Sequence, residues 1–166
     1  MSEALVGGIV ALAGTLLGFL GALGIRSLDI RRQEAEAKLQ LVGYITTVIS
    51  ELAMNHTILI HVVENKSNEG ELTVSDSAYR SAELVLSRDL TWKALEEVYK
   101  AYAPIRAGHL YAWIFVRSGA SFDVQSYRQI DLDACASQLP QLERAAAALR
   151  EERERLTARR FRRRGI

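Results

Sequence analysis

From Ala4 to Ile25 the chain runs 22 residues without a charged side chain, and Thr15 is the only clearly polar one. A helix over that stretch is about 33 Å long at about 1.5 Å per residue, enough to cross a hydrocarbon core of about 30 Å. Buried helices of water-soluble domains are rarely apolar on every face for so long. The pattern therefore predicts a transmembrane helix over 4–25. Charge returns abruptly with Arg26, Asp29, Arg31 and Arg32, which predicts a charged juxtamembrane stalk over 26–40. The basic side of a span is retained in the cytoplasm, so the expected placement is a single pass of a bacterial inner (plasma) membrane, N-terminus outside. A cleavable signal peptide and a buried soluble helix are the rival readings. Ala22-Leu23-Gly24 resembles a cleavage site, but Met1-Ser2-Glu3 has no positive charge. The apolar run is also longer than the usual 7–15 residues or so of a signal peptide.

The rhythm changes after residue 40. Leu41, Ile45, Val48, Leu52, Asn55, Leu59 and Val62 recur at 4-3 spacing, and Val42, Ile49, His56 and Val63 widen that face. So wide a stripe suits a bundle helix better than an isolated two-stranded coiled coil. Asn65 to Thr73 is polar and reads as a loop. Ser75 or Asp76 then caps a helix through about Leu86. Asp89 or Thr91 opens the next, with Trp92, Leu95, Val98, Tyr99 and Tyr102 on one face. Pro104 is expected to kink it and Gly108 to weaken it before it resumes through Leu110, Trp113 and Ile114, ending near Ser118-Gly119. Ser121 or Asp123 starts the last helical region, in which Pro140 marks a bend. Sustained period-two alternation is absent. The expected fold is all-α: the transmembrane helix, then a small antiparallel bundle of three to four long helices over 41–158.

Charge and composition refine this picture. Residues 26–139 hold 12 Lys/Arg against 15 Asp/Glu, whereas 140–166 hold 9 Arg against 4 Glu. The end of the chain, 159–166, is a polybasic tail carrying Arg159, Arg160, Arg162, Arg163 and Arg164. Beside a membrane, anionic lipid is its nearest partner, at about 1 kcal/mol per basic residue. Nucleic acid is the weaker candidate. Within the apolar run, Gly7, Ala11, Gly14, Gly18 and Gly21 form one stripe of small residues. Such a stripe lets helices approach closely in lipid and suits homo-oligomerisation.

Candidate chemistry is thin. Cys135 is the only cysteine and reads as a small core residue, which leaves no disulfide framework. His56 and His61 do not converge on a helix, and His61 with Glu64 makes only two of the ligands a metal needs. Asp131 and Asp133 fall on different helical faces, with no phosphate-cradling Gly-rich loop near them. No catalytic, cofactor or metal site is expected. Glu51 and Asn55, at i and i+4, can interact on one face, and Asn55 in the apolar seam reads as a buried polar group that fixes helix register. Trp92, Tyr99, Tyr102, Tyr111 and Trp113 form an aromatic set, with core packing the default and a partner groove the alternative.

The Gly-rich span, basic stalk, Glu51-Leu52-x-x-Asn55 and Trp-bearing helix with Tyr99-x-x-Tyr102 resemble a loose class of uncharacterised bacterial membrane-anchored helical proteins. That resemblance implies location and fold, not an activity. The expected function is a membrane-anchored scaffold or interaction module with an unknown protein partner. A pore-forming, phage- or toxin-like protein and a membrane-tethered nucleic-acid binder are the alternatives.

Overall fold

The computed structural model describes residues 3–67, 71–117 and 124–162, with the side chains of 3–13, 17, 114–117, 124–127 and 159–162 left out. The chain is mostly helical and divides into two compact units, Met1–Gln40 and Leu41–Ile166. Helix α1 spans Glu3–Glu64; no Pro interrupts it, and its glycines are tolerated at a modest propensity cost. Among the described residues no helix is long and apolar enough to cross a membrane. The side chains of 4–13 and 17, half of the span expected over 4–25, lie outside the described residues.

The second unit begins with the 41–64 portion of α1. Leu41, Ile45, Val48, Leu52, Asn55 and Leu59 are buried there, as their 4-3 rhythm predicts. The chain then turns at Asn65 and Lys66, the latter with φ +49°. Helix α2 (Ser77–Asp89) buries Tyr79, Ala82 and Leu86, and helix α3 (Trp92–Arg106) buries Ala94, Val98, Ala101 and Tyr102. Thr91 caps α3, its Oγ1 accepting from the Ala94 N–H at 3.4 Å. Pro104 falls in the last turn of α3, not in the middle of a longer helix.

Two expectations are corrected here. Residues 111–117 and 124–130 are strands, where the expected helix ran through Leu110, Trp113 and Ile114 and the last helical region began at Ser121 or Asp123. Strands β1 (Tyr111–Arg117) and β2 (Val124–Ile130) pair antiparallel, with Tyr111 opposite Ile130 and Trp113 opposite Arg128. Gly108, at φ +68°, turns the chain out of α3, and the run Tyr-Ala-Trp-Ile-Phe-Val is rich in the aromatic and β-branched residues strands favour. Its apolar residues fall on both faces, which hides the alternation. The last helix, α4 (Leu132–Arg162), consequently starts later than Ser121 or Asp123. Asp131 caps it, Oδ1 accepting from the Ala134 N–H at 3.0 Å. Among the described residues the bundle therefore has two long and two short helices plus a pair of strands, rather than three to four long helices.

The apolar face of α3 is also rotated from the expected one. Trp92 is 76% exposed and Tyr99 62%, while Ala94 and Ala101 are buried. The small alanines let α4 approach closely. Gln138 Nε2 donates to the Ala101 carbonyl at 2.7 Å, and the Thr91 hydroxyl donates to Glu152. Position 91 thus lies near 152 and 101 near 138, so α3 and α4 run antiparallel. One core collects Ile45, Leu52, Leu86, Val98, Tyr102, Leu142 and Leu149.

Candidate functional site

Among the described residues of the second unit, the Glu51 carboxylate accepts five hydrogen bonds. Asp76, beside the start of α2, makes no side-chain capping bond, so the first N–H groups of α2 need an acceptor from elsewhere. Glu51, one turn before Asn55 on α1, supplies it. Its Oε2 accepts from the Ala78 N–H at 2.8 Å and from the Ser75 and Ser77 hydroxyls at 2.9 and 3.0 Å. Its Oε1 accepts from the Tyr79 N–H at 3.2 Å and the Tyr102 hydroxyl at 2.8 Å. The carboxylate also sits at the positive end of the α2 dipole.

Asn55, fully buried, holds the adjoining backbone. Its Nδ2 donates to the Ser75 carbonyl at 2.7 Å and its Oδ1 accepts from the Ser75 N–H at 2.9 Å. The amide thus reads Ser75 as a neighbouring strand would. Glu51 and Asn55 together fix where residues 75–79 leave the loop and enter α2.

This arrangement determines what Glu51 can do chemically. Burial raises a carboxyl pKa, but the bonds from Ala78, Tyr102, Ser75 and Tyr79 more than offset it, and Glu51 lies below the ordinary range. It is ionised at neutral pH. Five donors already exceed the roughly four lone-pair sites of a carboxylate, so no acceptor capacity is left for a substrate proton.

Beside this cluster lies an open groove of about 580 Å³ lined by Tyr79, Tyr99, Tyr102, Pro104, Arg106 and His109. Tyr79 and Tyr102 stack with ring centroids 4.5 Å apart. The Arg106 guanidinium lies 5.9 Å from the Tyr79 ring centroid. It is held by Glu83 at 2.9 Å and Asp76 at 3.6 Å, so its charge is already matched. The groove offers aromatic and apolar surface rather than a charged socket. Trp92, Tyr99 and Trp113 are exposed, so the aromatic set does not gather into one core. Arg128 instead covers Tyr111 and Trp113, its guanidinium carbon 4.8 and 5.5 Å from their ring centroids.

The remaining candidates are dispersed. His56 Nε2 reaches Glu143 on α4 at 3.1 Å, whereas His61 bonds Asn65 within its own turn. Among the described residues no group of three or more His, Cys, Asp or Glu is placed to hold a metal ion. Cys135 is buried, and burial, with the Asp131 charge, pushes its thiol up to about 11. Such a thiol stays protonated at neutral pH and is a poor nucleophile. Gly14, Gly18 and Gly21 are exposed on α1, and a Cβ built on any of them meets nothing within 4 Å. The side chains at Gly7 and Ala11, and those of Arg159, Arg160, Arg162, Arg163 and Arg164, lie outside the described residues.

Sequence reasoning missed the partners of Glu51. Ser75 was legible as a helix-start residue and Ser77 was not singled out, and nothing local tells that their hydroxyls face a glutamate more than 20 positions back. It also missed Glu152, buried against Thr91 and paired with Arg155 at 2.5 Å. No protein family, no curated protein and no solved structure matches the chain.

Proposed function

We propose that the protein is a single-pass, membrane-anchored scaffold or interaction module of the bacterial inner membrane. In this reading the N-terminus is outside, and the second unit is a cytoplasmic platform without enzymatic activity. The observation that carries it is the uncovered apolar surface of the first unit. Leu16 is 62% exposed and Phe19 64%, and Leu20, Leu23 and Ile25 are exposed with them. So much contiguous apolar surface marks contact with lipid or another protein. The uncharged sequence over 4–25 favours lipid. The stripe Gly7, Ala11, Gly14, Gly18 and Gly21 supports self-association within that lipid, and the Arg159–Arg164 tail supports contact with anionic headgroups. On the platform, the groove between Tyr79, Tyr99 and His109 is the surface best suited to an apolar or aromatic segment of a protein partner.

The test is detergent-free ultracentrifugation of the intact product, followed by alkaline carbonate extraction. The expected result is recovery in the extracted membrane pellet, with a C-terminal tag protected from protease in sealed spheroplasts. An intact, unaggregated chain in the supernatant sinks the reading.

A further inference from the structure

The first unit carries a second pattern beyond its apolar run. Ile25, Leu28, Arg32, Ala35 and Leu39 recur at 3-4-3-4 spacing, and all five are exposed. Projected back, the same phase passes through Gly21, Gly18 and Gly14. At about 100° per residue, the bulky Leu16, Phe19, Leu20 and Leu23 lie on the opposite side of this helix. Each helical glycine costs about 1 kcal/mol relative to alanine. Among the described residues nothing calls for three of them in one line, since no described atom stands within 4 Å of where their Cβ would be.

The spacing is a heptad, with Ile25, Arg32 and Leu39 at a and Leu28 and Ala35 at d. The charges beside this seam are sorted by sign. Arg31 and Lys38 occupy g, and Asp29 and Glu36 occupy e. In a parallel, in-register pair each g residue meets the e residue five positions on in the other helix, so Arg31 of each copy meets Glu36 of the other. An antiparallel pair sets g against g and e against e, which brings only like charges together. We propose that residues 25–39 pair with the same segment of a second copy as a parallel, left-handed, two-stranded coil. The seven-residue repeat sets the hand. Arg32 at a favours two strands: its stem lies along the seam while its guanidinium reaches out to Glu36, to which it already bonds at 2.9 Å within the helix. The glycine line continues the contact into the apolar run. Only that continuation rests on the membrane reading, because the stalk seam stands on 25–39 alone.

Two alanines on opposite sides of the stalk provide the test. Ala35 lies in the seam, whereas Ala37 lies at f, facing away. The full-length Ala35→Cys and Ala37→Cys chains are oxidised in native membranes and in detergent and run on non-reducing gels. The natural Cys135 is buried and gives no background. Ala35→Cys is expected to yield several-fold more disulfide dimer than Ala37→Cys. Adding Arg31→Glu to Ala35→Cys lowers the yield several-fold, and adding Glu36→Arg as well restores it. Equal yields at 35 and 37, no dimer at 35, or indifference to Arg31→Glu overturns the proposal. A chain that sediments as a soluble protein yet gives the expected cross-links loses the membrane anchor and keeps the coil, so the two failures are distinguishable.

Discussion

Glu51 is a capping residue supplied from another helix, and its loss exposes more than one broken bond. In Glu51→Gln one oxygen becomes a donor facing the donors it used to satisfy. Destabilisation of about 3 kcal/mol is expected, read by urea unfolding of the full chain in mild detergent. Asn55→Ala leaves both polar groups of Ser75 without their buried partner and is expected to cost about 2 kcal/mol in the same assay. Protonation gives an independent check. The folded pKa of Glu51 lies below its unfolded value of about 4.3. Its contribution is therefore complete above about pH 4.3 and is lost as pH falls through the folded value. The stability difference between wild type and Glu51→Gln should be flat above about pH 5 and shrink in more acid solution. A difference independent of pH down to full protonation contradicts this assignment of charge.

Among the elements, the turn at Gly108 has a simple test. Its φ of +68° disfavours any side chain, and a Cβ there approaches Arg128 Nη2 at 2.7 Å. Arg128 is exposed and its terminus can swing aside, so the backbone term dominates. Gly108→Ala is expected to cost about 1 kcal/mol, seen as a lower thermal midpoint. At the start of α3, Thr91→Ala removes the hydroxyl that serves both Ala94 N–H and the buried Glu152. A loss of about 2 kcal/mol is expected, more than an exposed cap gives, because Glu152 loses a buried partner. These elements also show what could be read from the sequence. The stripe from Leu41 to Leu59 was legible because one face of a long helix meets the core and the other meets water. Thr91 was legible because capping is local chemistry. The strand pair was not, since apolar residues on both sides of β1 erase the alternation that distinguishes a half-buried strand. The face of α3 was misjudged because the large apolar area of aromatic rings drew the expected face, while close packing against α4 selects the small Ala94 and Ala101. Glu51 and Asn55 were legible as buried polar groups, but their partners depend on a loop whose path no local rule gives.

On the scale of the whole molecule, the two units meet water differently. Among the described residues, the buried hydrophobics of the shared core lie between Leu41 and Leu149, with Leu156 packed against them, whereas the described side chains of 14–40 are all exposed. A fragment starting at residue 41 is therefore expected to keep a cooperative thermal transition by circular dichroism while losing sedimentation with membranes. Non-cooperative melting of that fragment would mean that the core needs residues 1–40. Because the one thiol of the chain is sealed inside this core, alkylation of Cys135 has to await opening of the bundle. The rate at which a maleimide finds it offers a stability clock for the intact chain that needs neither calorimetry nor denaturant titration.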